Sequence, residues 1–290
     1  MTSSQNPTID ASSSNDGPFY TPTSADTLLV RSFLMQLKLP TELALAIIDF
    51  ADYYPVVRGH EATELHVAAS THRLNSTAVL YAVTDPIPED TNGARVRVKN
   101  VSFELRSHDQ GWGGERGCRA SNFTISASAF LHLWLILPRM FYGESDPLTA
   151  LHHPGTYSGS YTWFEACILR PIPSLYTDPL RLPYTFNPQP TAVCLKPVGY
   201  MLVPCSTSGR EETVVWHIQS NVCADSREMV HRVEWRPGEV QDILPGRGIG
   251  KAFVEKLRPG DRVGVWARAL YPGWVNHVKE VSIEVNVVVD

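Results

Sequence analysis

Along most of the chain apolar and polar residues alternate one for one, the period of a half-buried strand. Between Arg262 and Leu270, Val263, Val265, Ala267 and Ala269 share one side, and Trp266 and Arg268 share the other. Tyr271-Pro-Gly-Trp274 then turns the chain. Val281, Ile283, Val285, Val287 and Val289 line one face of a closing strand. The same period marks strands near 77–83, 161–169, 214–219 and 229–235. In 96–105 the phase slips: Val96 and Val98 share one phase, Val101, Phe103 and Leu105 the other, which predicts a β-bulge or bend around Lys99-Asn100. This spacing, with its turn residues, predicts a mainly β chain: one antiparallel β-sandwich, jelly-roll-like, over 76–290.

The pattern differs before residue 76. Residues 1–24 are rich in Ser, Thr, Asn and Pro, and predict a disordered tail. Residues 25–75 predict a helical segment. In it Thr41 can cap a helix, and Leu43, Ile47, Ile48 and Phe50 recur at three- and four-residue spacing. Two later stretches fit the strand pattern poorly. The apolar run 128–141, interrupted by His132 and Pro138, is too short to span a bilayer and reads as a buried strand or helix. The proline-rich stretch 171–204 reads as a long surface loop.

Composition narrows the class. Twenty-two prolines and nineteen glycines favour turns over long helices. A net charge of -5 without a basic block argues against nucleic acid as the main partner. Cys118, Cys167, Cys194, Cys205 and Cys223 are odd in number and lack a CxxC spacing, so free thiols in a reducing compartment are expected. The N-terminus has neither a basic nor an apolar signal region. The expectation is an intracellular, cytoplasmic or nuclear, protein without membrane association, in which the Asn75 and Asn122 sequons are chance matches.

Candidate chemistry is sparse. His108-Asp109 and His152-His153 are adjacent pairs, which on an extended chain point to opposite faces and cannot readily share a ligand. No HExxH or comparable metal spacing and no GxSxG elbow occurs. Gly246-Arg-Gly-Ile-Gly-Lys251 lacks the first glycine of a phosphate loop, where Pro245 stands, and its Ser/Thr, where Ala252 stands. The reading is non-enzymatic, with no catalytic residue, metal or cofactor. What remains is tryptophan beside polar groups: Trp112, Trp163 and Trp274 with His108, Asp109 and Asn276. These residues could stack and hydrogen-bond a glycan or small polar ligand, or could plug the sandwich ends.

Leu39-Pro40-Thr-Glu-Leu43-Ala-Leu-Ala-Ile47-Ile48-Asp-Phe50 resembles the opening of an F-box. The resemblance covers about fifteen residues and implies docking to the Skp-type adaptor of a cullin–RING ubiquitin ligase. Leu39, Pro40, Leu43, Ile47, Ile48 and Phe50 would form the contact. The chain departs from the family afterwards, where Val56-Val-Arg-Gly-His-Glu-Ala-Thr-Glu-Leu65 is a weak substitute for the later F-box helices. The motifs Ser107-His-Asp-Gln-Gly-Trp112, Gly155-Thr-Tyr-Ser-Gly-Ser-Tyr-Thr-Trp-Phe-Glu165, Trp266-Ala-Arg-Ala269 and Pro272-Gly-Trp-Val-Asn276 resemble a β-rich module of fungal proteins. In that module a truncated F-box-like helix commonly comes first, and the two polar motifs lie closer together. The resemblance therefore implies that 107–114 and 155–165 are spatial neighbours, with 118–142 an insertion or retained non-coding sequence. Two functional expectations follow. One is an interaction protein feeding a ubiquitin ligase; the other is a lectin-like module.

Overall fold

The structure is a computed structural model and describes residues 20–89, 94–112, 155–173, 185, 188, 195–205, 213–238 and 244–289. The expectations for 1–19 and for 118–142 lie outside these residues. The chain divides into two compact units, 1–55 and 56–290.

The first unit carries two helices. α1, Ser24–Gln36, begins in a capping box. Thr23 Oγ1 accepts the Asp26 N–H at 3.2 Å, and Asp26 Oδ2 accepts the Thr23 N–H at 2.9 Å. α2, Thr41–Phe50, starts behind Pro40 with no side-chain cap bond, so Thr41 is the first helical residue and not the cap. One correction concerns Ile48. At 3.6 residues per turn it is turned about 140° from Leu43. It lies with Ala44 on the buried side of α2, at 3% exposure.

The second unit is the antiparallel sandwich. Its first sheet is ordered β1 (Val56–Glu61), β10 (Val275–Val289), β4 (Val96–His108), β8 (Met229–Trp235), and β2 (Leu65–Ala68) also pairs with β10. The second is ordered β3 (Ser76–Val83), β9 (Arg262–Leu270), β5 (Thr162–Pro171), β6 (Tyr200–Leu202), and β7 (Trp216–Ser220) also pairs with β5. β1 and β2 fall inside the stretch expected to be helical, and β6 inside the expected 171–204 loop. β1 has two inner positions, Val57 and Gly59. A Cβ at Gly59 would lie 2.7 Å from the Val83 carbonyl oxygen, so the close approach of β3 excludes the apolar side chain that would have shown the strand period.

Bulges set the phase of the core. Asn286 pairs with Asn100 and Val287 with Val98, which leaves Lys99 extra. This is the slip expected from the alternation, and it returns Val96 to the buried side with Val101, Phe103 and Leu105. Lys279 is the extra residue of β10, placing both Val278 and Val281 in the core. Trp266 and Arg268 do not face solvent as their alternation with the apolar set would suggest, because the second sheet is covered on both faces. Trp266 and Cys167 pack with Ala78, Leu169, Leu195, Tyr200, Leu202 and Val214 in a second apolar layer, and Trp266 Nε1 donates to Cys167 Sγ at 3.1 Å.

Two different constructions close the sandwich. Near the Val101 end of β4, Trp235 meets Phe103 and Phe253 edge-on, and Phe253 meets Trp216, with ring centroids 4.9 Å apart in each case. Phe253 comes from the short helix α3, Phe253–Lys256. The Trp216 and Trp235 indole N–H groups donate to the carbonyls of Lys251 and Gly248 at 2.9 and 3.1 Å. Gly250 (φ +57°) lies so close to the Trp235 ring that a Cβ would be 2.1 Å from it. The Gly246–Lys251 segment is thus a lid on the aromatic end.

At the Ser107 end of β4 the interior is polar. Ser107 Oγ donates to Asn221 Oδ1 at 2.7 Å, and Asn221 Nδ2 donates to Thr162 Oγ1 at 3.0 Å and Asn276 Oδ1 at 2.9 Å. Asn276 Nδ2 donates to the carbonyls of Trp163 and Arg268 at 3.3 Å. All four side chains are buried, and the network joins β4 and β10 of one sheet to β5 and β9 of the other.

Candidate functional site

Three of the six residues expected to dock an adaptor form an exposed stripe on α2. Leu43, Ile47 and Phe50 are 52%, 44% and 93% exposed, and Pro40 is exposed just before the helix. They recur at i, i+4 and i+7, which lines them up on one side of a helix. Leu39 is half-buried and Ile48 is buried, so neither belongs to the exposed stripe.

The loop residues meet at one end of the sandwich. Gln110 Oε1 accepts the Val275 N–H at 3.2 Å, and the Trp112 ring lies against Gly273, where a Cβ would be 2.7 Å away. Cys223 accepts the Gly155 N–H at 2.8 Å and donates its own N–H to Thr156 at 2.7 Å. Asn221 links Ser107 to Thr162 directly. The motifs at 107–112 and 155–165 are therefore spatial neighbours, as the resemblance implied.

Most of their polar groups face inward. Asp109 is fully buried and accepts the Ala224 N–H at 2.9 Å. Burial pushes its carboxyl up to about 7, against the pull of the Ala224, Gly111 and Gln110 N–H groups. Asn276 is consumed by the amide network. Trp163 sits on β5 and not in a loop: its Nε1 donates to Glu165 Oε1 at 2.8 Å, and the Arg268 guanidinium lies 5.1 Å from its ring centroid. Arg268 and Glu165 complete a buried ion pair at 2.8 Å. Trp274 is half-buried, edge-on to Tyr161 with centroids 5.1 Å apart. Trp112 is 63% exposed. A shallow groove lies nearby between Gly155–Ser158 and Pro245–Gly246, and neither Trp112 nor Trp274 lines it.

Two chemical features were not legible in the sequence. His66, His277 and His108 stand directly opposite one another on β2, β10 and β4. His277 is stacked on His108, centroids 4.5 Å apart and planes within 7°, and meets His66 at 4.4 Å. Burial, then the neighbouring imidazoles of His108 and His66, hold His277 down to about 4. The second feature is the partly buried Tyr157–His231 pair, 3.2 Å between Oη and Nε2. Cys167, Cys205 and Cys223 are free thiols. Burial pushes them up to about 12, 11 and 11, away from nucleophilic use.

Among the described residues no helix is long and apolar enough to cross a membrane. Comparison of the sequence with protein-family models and with curated proteins returns no match.

Proposed function

We propose that this is a non-enzymatic interaction protein in which α2 docks a partner groove and the sandwich presents the target-binding surface. The observation that carries the reading is the exposed stripe Leu43, Ile47 and Phe50. Three large apolar side chains on one helical side, with Ala44 and Ile48 supplying the buried side, suit helix-in-groove recognition. The resemblance to the F-box opening makes a Skp-type adaptor the partner, and the protein a substrate receptor of a cullin–RING ligase. The test is a pull-down with purified adaptor, using wild type and Leu43→Asp/Ile47→Asp. Wild type should bind with Kd near 1 μM, about −8 kcal/mol. The variant should lose binding while the sandwich keeps its thermal midpoint. Wild type that shows no binding at micromolar concentration ends the reading.

The lectin-like alternative is favoured by one observation, the exposure of Trp112 beside Gly273. A glycan-array signal removed by Trp112→Ala would support it.

A further inference from the structure

The His66–His277–His108 row belongs to neither reading and lies on the outer side of the first sheet. Cross-strand partners in an antiparallel sheet have side chains close enough to touch, and here three consecutive strands each contribute one imidazole to the same row. The two outer rings are oriented by oxygen. His108 Nδ1 lies 2.7 Å from the Asp109 carbonyl, and His66 Nε2 lies 3.3 Å from Glu64 Oε1, while the other oxygen of that carboxylate, Oε2, is held at 2.7 Å by Lys279 Nζ. A carbonyl or carboxylate on one ring nitrogen fixes the tautomer and leaves a lone pair on the other, which is how metal-ligating histidines are supported from outside. At His108 the nitrogen left over is Nε2; at His66 it is Nδ1.

We propose that His66, His277 and His108 form a surface site for a divalent transition cation of the zinc or copper type. Imidazole suits these ions, whereas magnesium and calcium prefer oxygen. In the structure His108 is stacked on His277 and His66 meets it edge-on, and no group of three His, Cys, Asp or Glu side chains among the described residues is arranged as it stands to hold a metal ion. Zinc–imidazole bonds of about 2.0–2.1 Å require ligand nitrogens roughly 3.3 Å apart. Ring centroids at 4.4 and 4.5 Å bring each outer ring within this reach of His277 by tilting about χ2, a broad torsion for histidine, and His66 and His108, which flank His277, need rotation about χ1 as well to meet on one ion. The backbone register is already in place, so binding asks only for side-chain rotation. Glu64, beside His66, can complete the coordination or remain an outer acceptor.

The experiment is calorimetric titration of the chelator-treated full chain with Zn²⁺, with Mg²⁺ as control. The expected result is one saturable Zn²⁺ equivalent and no Mg²⁺ heat. His277→Gln should weaken Zn²⁺ binding by more than the roughly tenfold that losing an outer hydrogen-bond partner costs. His66→Gln and His108→Gln should each weaken it too, while His72→Gln, outside the row, leaves it unchanged. With Cu²⁺, nitrogen hyperfine splitting in the electron paramagnetic resonance spectrum should be simplified by each of the three row variants. If His277→Gln fails to fold by near-ultraviolet circular dichroism, His66→Gln carries the test, because its side chain is 56% exposed. Absence of saturable Zn²⁺ binding, or binding that the row variants leave unchanged, overturns the proposal.

Discussion

The two closures of the sandwich solve one problem with different physics. At the Val101 end, Phe103, Trp216, Trp235 and Phe253 fill the space between the sheets, and backbone carbonyls of the Gly246–Lys251 lid take the indole N–H groups. Aromatic burial is roughly proportional to area and tolerates small displacements. At the Ser107 end, Asn221 and Asn276 hold five chain segments through directional bonds. A buried amide network is satisfied completely or becomes a liability, since each orphaned group retains its desolvation cost. The aromatic end therefore supplies bulk stability, and the amide end fixes how the sheets and the loops beyond them align.

The largest expected effect breaks the first closure. Trp235→Ala should cost about 3–5 kcal/mol, the usual range for a buried aromatic, read as a lower guanidinium midpoint with an unchanged slope. Next, Asn221→Leu, which keeps the branched shape but not the hydrogen-bonding groups, should cost about 1–3 kcal/mol for each partner left buried and unpaired. It should cost no less than Asn221→Ala, whereas at the aromatic end Trp235→Phe should be milder than Trp235→Ala. A near-neutral Asn221→Leu would show that the amides contribute nothing to folding.

A subtler effect is pH-dependent. The Asp109 carboxyl ordinarily titrates near 3.8 and is raised to about 7 in the fold. Below pH 4 it is protonated in both states. Between pH 4 and 7 the folded state holds the proton more tightly, so stability falls as pH rises through this window. Asp109→Asn keeps an oxygen for the Ala224 N–H and should flatten that slope, leaving the variant more stable than wild type at pH 8. Parallel slopes in urea titrations at pH 5 and pH 8 would refute it. The smallest effect is the control outside both closures: Arg232→Ala removes an exposed pair with Glu104 at 2.7 Å and should change stability by less than about 1 kcal/mol.

Legibility followed the range of the interactions. Strands whose inner residues are large and apolar, such as β9 and β10, declared themselves by period, and so did the bulge at Lys99. β1 did not, because Gly59 occupies one of its two inner positions, beside Val57, for steric reasons set by β3, a neighbour that period cannot reveal. Apolar character groups Ile48 with Leu43, although the helix turns them far apart and buries Ile48. Asp109 and Asn276 looked like ligand groups because sequence shows polarity and not direction; their partners, Ala224 and Asn221, lie far along the chain. The histidine row was invisible for the same reason. Its members are separated by 42 and 169 positions (108 − 66 and 277 − 108) and meet only through strand register.

The position of β10 has a consequence for biosynthesis. It is the strand to which β1, β2 and β4 all pair, yet it follows them by long intervals: Val56 waits for Asn286, 230 positions later (286 − 56). Closing such intervals is slow. On the ribosome, every strand of the first sheet is made before the one that joins them, and β1, β2 and β4 emerge with open edges of the kind that invite pairing with other chains. Those edges stay open until β10 emerges, and a premature stop anywhere before Val275 would leave the first sheet without its central strand.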